Sequence, residues 1–153
     1  MKYIAFYKTA IGRIGIAENR GGISHILFEG SKGLSDYQEK ETALIENCHK
    51  QLMEYFEGKR TKFDIPLYLE GTEFQKSIWS ALQDIPFGET CSYKEVAIKI
   101  NNEKAVRAVG LANNKNRIPI IIPCHRVVGI NGSLTGYAGG LELKQFLIDL
   151  EKK

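Results

Sequence analysis

The chain is organised around residues 118–128, which read Ile-Pro-Ile-Ile-Ile-Pro-Cys-His-Arg-Val-Val. Three consecutive isoleucines are typical of a buried strand or extended segment. The two prolines that bracket them fix φ at their own positions and bias the preceding residues away from helix. We therefore predict a stiff, extended backbone that presents Cys124, with His125 and Arg126 immediately behind it.

The neighbours of Cys124 favour a reactive thiol. A cysteine reacts as the thiolate, and its pKa falls when a base or a cation lies close, which His125 and Arg126 both provide. Consecutive side chains of an extended segment point apart, so a water or a local turn is needed to connect the thiol with the imidazole. Lone cysteines are most often small buried hydrophobes. The Pro-Cys-His-Arg context nevertheless indicates a nucleophile.

Length and composition narrow the class of protein. A chain of 153 residues with 43% hydrophobic residues is long enough for one domain or two small ones. Its three cysteines are odd in number and widely spaced, which favours free thiols in a reducing compartment. No CxxC pair occurs, so no metal site is predicted. Neither a secretory leader nor an apolar run of roughly 20 residues is present, and we expect a cytoplasmic protein without membrane contacts.

Positive charge is concentrated around the central stretch. The net charge is only +3, but the segment from Lys94 to Arg126 holds seven basic and two acidic residues and is locally +5. The remainder of the chain therefore sums to −2. A basic surface is often merely solubilising, but this one adjoins the predicted nucleophile and favours phosphate contacts.

Residues 1–70 are predicted to form a small α/β support domain. Three β-rich runs separated by turn residues indicate an antiparallel sheet, and apolar residues at helical spacing between residues 39 and 57 indicate a helix that ends near Gly58. A further run could add an edge strand, since it contains Pro66. The predicted strands are Lys2 to Lys8, Arg13 to Glu18, Ile23 to Phe28 and Phe63 to Leu69.

Residues 71–153 are predicted to form a mostly helical domain, which makes the whole an α/β (α+β) protein. Two capping boxes, Thr72 with Gln75 and Ser92 with Glu95, mark the starts of two helices. Asn101-Asn102 is expected to cap a third helix from Glu103 to Asn113, which would complete a helix-turn-helix. Helix hairpins are also common packing units, so this pattern alone does not establish DNA binding.

The motifs together resemble a known family. Ile-Pro-Cys-His-Arg-Val-Val, followed by Tyr-Ala-Gly-Gly-Leu at 137–141, resembles the active-site signature of the methylated-DNA-protein-cysteine methyltransferases, also called O6-alkylguanine-DNA alkyltransferases. The order of motifs from Phe74 to Glu151 is similar too: Phe-Gly-Glu, Ser-Tyr, Arg-Ala-Val-Gly, an asparagine before the proline run, the nucleophile and Tyr-x-Gly-Gly. About half of the chain carries the resemblance.

The resemblance implies a role for each matching residue. The helix that carries Arg107 is expected to enter the minor groove of duplex DNA, where this arginine fills the gap left by a flipped alkylguanine. Tyr93 would push the phosphate and protonate the leaving guanine, and Glu151 would orient His125. The implied catalytic residues are Cys124, His125, Glu151, Tyr93 and Asn116. The implied DNA contacts are Tyr93, Lys94, Asn102, Arg107 and Arg117, and Tyr137 and Ala138 would border the base pocket.

Two positions depart from the family pattern. Arg117 stands where proline is frequent and would add a phosphate contact, and Ala138 stands where some members have serine and would lack the hydroxyl donor to the base. The implied activity is irreversible transfer of the alkyl group from O6-methylguanine, with O4-methylthymine as a second substrate, to Cys124. Each molecule would act once, as a monomer and without a cofactor.

Two alternatives of other classes stay open at this point. Alkyltransferase-like proteins bind alkylated guanine without removing the alkyl group, but they lack the cysteine that this chain has. An ordinary cysteine hydrolase could use Cys124 and His125, but it would need an oxyanion hole and turnover. A permanent methyl adduct on the thiol would distinguish the transferase from both.

Overall fold

The structure, a computed structural model, describes residues 1–153 and divides into two compact units, Met1–Glu70 and Gly71–Lys153. The first unit consists of a small sheet with one long helix, and the second is mostly helical. The predicted α/β (α+β) class is therefore confirmed. No helix has the length and apolar character that a membrane crossing requires.

A four-stranded sheet with the order β3-β2-β1-β4 forms the first unit together with helix α1. The elements are β1 (Lys2–Thr9), β2 (Gly12–Asn19), β3 (Gly22–Leu27), β4 (Gln38–Glu39) and α1 (Ala43–Phe56). The first three strands are antiparallel, as predicted, whereas the short β4 pairs in parallel with β1 and was not anticipated. Apolar side chains of the sheet and of α1 are fully buried, among them Ile14, Ile16, Ile23, Ile45, Cys48 and Leu52.

The predicted strand from Phe63 to Leu69 is wrong. Only one isolated bridge forms there, in which the Ile23 N–H donates to the Pro66 carbonyl at 2.9 Å and the Tyr68 N–H donates to the Ile23 carbonyl at 2.9 Å. Pro66 has no N–H to donate to the preceding rung, so the ladder cannot extend in that direction.

Both capping boxes in the second unit are confirmed. The Thr72 hydroxyl accepts from the Gln75 N–H at 3.1 Å at the start of α2 (Glu73–Gln83), and the Gln75 side chain bonds back to the Thr72 N–H. The Ser92 hydroxyl accepts from the Glu95 N–H at 3.0 Å at the start of α3 (Tyr93–Lys99). Reciprocal capping satisfies amide groups that the first turn of a helix leaves unpaired.

The third helix of this unit begins later than predicted. Helix α4 spans Val106–Asn114, and Asn102 does not cap it, because the asparagine pair ends α3 instead. Asn101 has a φ of 60°, its N–H donates to the Ile98 carbonyl, and the Asn102 N–H donates to the Ala97 carbonyl. This pair of bonds is a Schellman motif. Glu103 and Lys104 consequently lie in the connection between the helices and not on α4.

Residues 118–122 form a tight turn and not the predicted extended segment. The Ile122 N–H donates to the Ile118 carbonyl at 3.0 Å, and Ile120 has a φ of 73°, a left-handed conformation that β-branched residues rarely adopt. The side chains of Ile118, Ile120 and Ile122 are all buried, as predicted. Burial of three large apolar side chains in one turn offsets the local backbone strain.

Two short strands and a final helix complete the second unit. Strand β5 (Cys91–Ser92) pairs in parallel with β6 (Val127–Val128), so the start of α3 lies beside the segment that follows Cys124. Between the turn and β6, Cys124–Arg126 form one turn of 3-10 helix. The last helix, α5 (Leu141–Glu151), buries Lys144, Leu147, Ile148 and Glu151, whereas Phe146 is exposed.

Candidate active site

The backbone around Cys124 is held by two asparagines. The Asn116 amide donates to the Ile122 carbonyl at 2.8 Å, and its side-chain oxygen accepts from the Ile118 N–H at 2.9 Å. The Asn113 amide donates to the Cys124 carbonyl at 3.4 Å. All three backbone groups are thereby paired inside the protein, which a buried irregular loop requires. Asn116 thus orders the loop that carries Cys124, and Asn113 supports the same loop although the sequence did not indicate it.

Glu151 is the hub of a buried polar cluster. Its carboxylate lies 2.6 Å from His125 Nε2 and accepts from Arg126 Nε at 2.8 Å and from Arg126 Nη2 at 3.1 Å. The Gly88 N–H donates to the same carboxylate at 3.2 Å. Paired charges with several hydrogen bonds can be buried at tolerable cost. The structure therefore places Glu151 against His125 at the end of α5, where a glutamate is ordinarily solvated.

The hydrogen-bond partners of Arg126 differ from those that the sequence led us to expect. Its guanidinium was expected to assist the thiol, but it forms a bidentate pair with Glu151 and donates from Nη1 to the Ile85 carbonyl at 2.6 Å. The positive charge of Arg126 is thus already matched by a carboxylate. The Phe-Gly-Glu motif has a structural task here as well, because Gly88, with a φ of 84°, brings its N–H to the carboxylate. The sequence analysis did not predict this ion pair, because Arg126 and Glu151 are 25 residues apart in the sequence.

The contact with Glu151 fixes the tautomer of His125. A carboxylate only accepts hydrogen bonds, so Nε2 carries the proton and Nδ1 keeps its lone pair. Nδ1 is buried and has no hydrogen-bond partner within the protein. Burial lowers the pKa of His125 below its usual value, against the opposing effect of Glu151, and the imidazole is neutral near pH 7. A neutral ring with a free lone pair can act as a base.

Cys124 is a buried thiol that is protonated near neutral pH. Its exposed fraction is 5%, and burial raises its pKa to about 11, although the Asn116 amide and the Lys144 ammonium act in the opposite direction. Cys124 and His125 lie in one turn of 3-10 helix, which is the local turn that was expected between the thiol and the imidazole. No direct hydrogen bond joins the two side chains. Reaction at this sulfur therefore needs a base at the moment of transfer.

Tyr93 lies at the start of α3 in a second polar cluster. Its hydroxyl accepts from Thr135 Oγ1 at 3.0 Å and donates to the Thr135 carbonyl at 3.3 Å. The Lys144 ammonium donates to the same carbonyl at 2.9 Å and lies 5.9 Å from the centre of the Tyr93 ring. Thr135 and Lys144 were not singled out in the sequence. From the sequence, a lysine in the first turn of a helix with one apolar face is expected to be solvated. Only the packing of the elements shows that Lys144 is buried.

The remaining predicted residues lie on α3, on or beside α4, and in the segment before α5. Lys94 lies on α3, Asn102 in the connection, Arg107 on α4 and Arg117 after α4, and all four are exposed. Tyr137 is half-buried and Ala138 exposed in the segment that precedes α5. No group of three or more histidine, cysteine, aspartate or glutamate side chains is placed to hold a metal ion.

Comparison with protein-family models divides the chain at the boundary between the two units. Residues 73–153 match the model described as "6-O-methylguanine DNA methyltransferase, DNA binding domain". Residues 2–69 match the model described as "6-O-methylguanine DNA methyltransferase, ribonuclease-like domain". The two matches together account for nearly the whole sequence.

Individual relatives are similar along their full length. The methylated-DNA–protein-cysteine methyltransferase of Methanosarcina acetivorans is 49% identical over 152 residues, which is 97% of each chain. The constitutive enzyme of Bacillus subtilis with the same name is 43% identical over 99% of this chain and 96% of its own. Among solved structures, the Mycobacterium tuberculosis OGT in complex with DNA superimposes with a TM-score of 0.92 and 40% identity, over 98% of this chain and 92% of that one.

Proposed function

Because the chain belongs to the 6-O-methylguanine DNA methyltransferase family, we propose that it repairs DNA by moving the methyl group of O6-methylguanine onto its own Cys124. The observation that carries the assignment of residues is the 2.6 Å contact between Glu151 and His125, the residue that follows the buried Cys124 in the sequence. A carboxylate, an imidazole and a thiol in this order form the activated-nucleophile arrangement.

Activation begins with the proton of the thiol. With a pKa of about 11, Cys124 is almost entirely protonated near pH 7, and His125 Nδ1 has the lone pair that can receive the proton, through a bridging water. Glu151 stabilises the imidazolium that forms, since it favours the charged ring. The arginine beside Glu151 keeps that carboxylate in place.

The transfer step is a single displacement. The sulfur of Cys124 bonds to the methyl carbon as the bond from that carbon to the guanine oxygen breaks, and the electron pair of the broken bond stays with guanine. The leaving base takes a proton from a donor beside it, and the proton that His125 holds returns to that donor through solvent, so that the charges balance. Tyr93 is the proposed donor, with Thr135 and Lys144 fixing its position. A thioether is stable to hydrolysis, so each molecule acts once and needs no cofactor.

Binding of duplex DNA is assigned to α3 and α4. Arg107 is exposed at the second residue of α4, Lys94 is exposed on α3, and Asn102 and Lys104 are exposed in the connection between the two helices. The start of α4 has no side-chain cap, so its free N–H groups can bind a phosphate. We place this helix in the minor groove, with the protein bound as a monomer, Arg107 in the base stack and Arg117 on the backbone.

The burial of the proposed nucleophile supports the flipping of the target base out of the duplex. Only 5% of Cys124 is exposed, so a base inside the duplex stack cannot reach the sulfur. Tyr137 and Ala138 are the proposed borders of the pocket that receives the base, and Asn116 holds the loop beneath it. O4-methylthymine is a proposed second substrate, because it carries the same methyl ether. The first unit is assigned a supporting role.

Mass spectrometry of the intact protein and of its peptides tests the proposal. After incubation with duplex DNA that contains one O6-methylguanine, we expect a permanent gain of one methyl group on the peptide with Cys124, in a one-to-one ratio to repaired DNA. Unmethylated duplex is the matched control. A cysteine hydrolase or a protein that only binds the lesion would show no adduct, and either result would overturn the proposal.

A further inference from the structure

Asn113 is a buried amide of which only one end is paired within the protein. Its exposed fraction is 2%, and its Nδ2 donates to the Cys124 carbonyl at 3.4 Å, whereas Oδ1 is buried and has no hydrogen-bond partner within the protein. A buried acceptor without a donor loses its hydration and gains nothing in return, so native proteins contain few such atoms. An unpaired amide oxygen beside the proposed nucleophile therefore indicates a task beyond support of the loop.

The direction of this amide follows from its one hydrogen bond. A carbonyl oxygen only accepts, so the NH2 group of Asn113 faces Cys124 and the acceptor Oδ1 is at the other end of the amide. The backbone of Asn113 is fixed as well. It lies in the last turn of α4, where Trp79 Nε1 donates to the neighbouring Ala112 carbonyl at 3.0 Å. Oδ1 is consequently held at a defined place beside the peptide bond that follows Cys124.

A second buried acceptor belongs to the same peptide bond. His125 Nδ1 keeps its lone pair because Nε2 donates to Glu151, and it too has no hydrogen-bond partner within the protein. His125 follows Cys124 directly, so the thiol, the imidazole and the Asn113 amide are all attached or hydrogen-bonded to the two residues of one peptide bond. Because Oδ1 and Nδ2 share one carbon atom, Oδ1 lies within roughly 6 Å of the Cys124 carbonyl oxygen.

One water molecule matches these groups in number and in kind. Water donates two hydrogen bonds, which suit the acceptors of Asn113 and His125, and it accepts from the S–H group of Cys124. Three hydrogen bonds are usual for a buried water, and one water can bridge two acceptors up to roughly 6 Å apart. With both of its protons held by acceptors, the water directs a lone pair to the thiol.

We propose that Asn113 positions the proton relay: its Oδ1 accepts one hydrogen bond from the water that moves the Cys124 proton to His125. The sulfur gives its proton to the water, the water gives one of its own protons to Nδ1, and its other proton stays on the Oδ1 side. The inference rests on the proposed function, because it gives the bridging water of that mechanism a second anchor. It also connects α4, to which DNA binding is assigned, with activation of the thiol.

The charged groups around this place are bonded elsewhere. Arg126 donates to the Glu151 carboxylate, which also contacts His125, and the Lys144 ammonium donates to the Thr135 carbonyl. None of these groups bonds to either of the two unpaired acceptors. A neutral donor that can take up one proton while it releases another is therefore the partner that suits both acceptors.

Asn113→Leu tests the relay, because leucine has nearly the shape of asparagine but no polar atom. Gln51→Met is the matched control: Gln51 is also a buried amide, with an exposed fraction of 5%, and it exchanges two hydrogen bonds with the Asp64 backbone in the first unit. Two quantities are measured in the parent protein and in both variants. The first is the single-turnover rate of methyl transfer from duplex DNA with one O6-methylguanine, between about pH 6 and pH 10. The second is the 15N chemical shift of His125 Nδ1, which reports whether its lone pair accepts a hydrogen bond.

In Asn113→Leu we expect methyl transfer to be about tenfold slower near pH 7, because the water has lost an anchor. The rate should approach that of the parent as the pH rises, since hydroxide then removes the thiol proton without the relay. The Nδ1 shift should move toward that of an unbonded imidazole nitrogen, and Gln51→Met should equal the parent in both quantities. Slowing by the same factor at every pH, or an unchanged Nδ1 shift, would show that Asn113 only supports the loop and would overturn the inference. Permanent methylation of Cys124 in the parent protein would still hold in that case, so the proposed function is judged separately.

A crystal structure of the parent protein decides the question if Asn113→Leu does not fold. The inference requires an ordered water within about 3.2 Å of both Asn113 Oδ1 and His125 Nδ1. A water bonded to Nδ1 but not to Oδ1, another donor on Oδ1, or no ordered water between the two atoms would overturn it.

Discussion

Cys48 and Cys124 are both buried thiols, but their surroundings differ. Cys48 lies on α1 with an exposed fraction of 0%, and burial alone raises its pKa to about 12. Cys124 has an exposed fraction of 5%, and its pKa of about 11 results from burial opposed by an amide and an ammonium. The two thiols therefore share burial and differ in the polar groups that act on the sulfur.

The two surroundings follow from the local backbone. Inside α1 the backbone N–H and C=O groups bond to one another, and the buried neighbours Ile45 and Leu52 are apolar. The loop around Cys124 is irregular, so its backbone needs side-chain partners, and Asn113 and Asn116 supply them. An irregular segment thus brings polar side chains into the interior that a helix does not require.

Replacement of the nucleophile gives the largest expected effect. Cys124→Ser should reduce methyl transfer by about 10³-fold or more, because a serine hydroxyl is far less ionised than a thiol and a weaker nucleophile. Affinity for methylated duplex should stay nearly unchanged, since the side chains are almost isosteric. Single-turnover assays and a binding titration measure the two quantities. Residual methyl transfer in this variant would indicate that Cys48 or Cys91 accepts the methyl group. The distinction drawn here between Cys48 and Cys124 would then be wrong.

Glu151→Gln should have the next largest effect. Without the carboxylate His125 becomes a weaker base, and we expect methyl transfer about 10²-fold slower at neutral pH and less affected at high pH. The change also leaves Arg126 as a buried unpaired cation, at a cost of about 3–5 kcal/mol in the free energy of unfolding. A pH–rate profile and thermal unfolding measure these effects, with Glu142→Gln on the same helix as control. A profile of the same shape as that of the parent would remove Glu151 from the mechanism.

Arg107→Ala tests the flipping of the target base out of the duplex toward the buried thiol. If Arg107 fills the vacated stack, its loss removes a wedge that offsets an unstacking cost of roughly a few kcal/mol, and methyl transfer on duplex DNA should slow beyond the change in affinity. Lys104→Ala, in the preceding connection, should weaken binding only in a salt-dependent manner.

The decisive control for Arg107 is a substrate that needs no flipping. On free O6-methylguanine, or with the lesion opposite an abasic gap, Arg107→Ala should react at close to the parent rate. Equal slowing on duplex DNA and on the free base would show that Arg107 supports the fold or the pocket.

Cys48→Ser should have the smallest effect on methyl transfer. A hydroxyl in the apolar core between α1 and the sheet can bond only to the backbone of its own helix, so we expect a loss of about 1–3 kcal/mol in the free energy of unfolding. The rate of methyl transfer at a temperature well below unfolding should equal that of the parent. A slower rate in the fully folded variant would mean that the two thiols are not independent.

Local features were predictable from the sequence where short-range hydrogen bonds decide them. Thr72 with Gln75 and Ser92 with Glu95 form capping boxes because both partners lie within one helical turn. The strands β1 to β3 and helix α1 were predictable from the period of their apolar residues and from the turn residues between them. Asn101 was misassigned, because an asparagine near a helix boundary can cap the next helix or end the previous one in a left-handed conformation.

The residues of the active-site motif, Cys124 and His125, stand next to each other in the sequence, and family resemblance brought in Tyr93, Asn116 and Glu151. Only the tertiary structure decided that Arg126 pairs with Glu151 and that Lys144 is buried beside Tyr93 and Thr135. These contacts join residues of α3, the nucleophile loop and α5, and each depends on burial and on the meeting of elements distant in sequence. Residue type and spacing determine which chemistry is available to a chain, whereas the packing of its elements determines which charge lies next to the reacting atom.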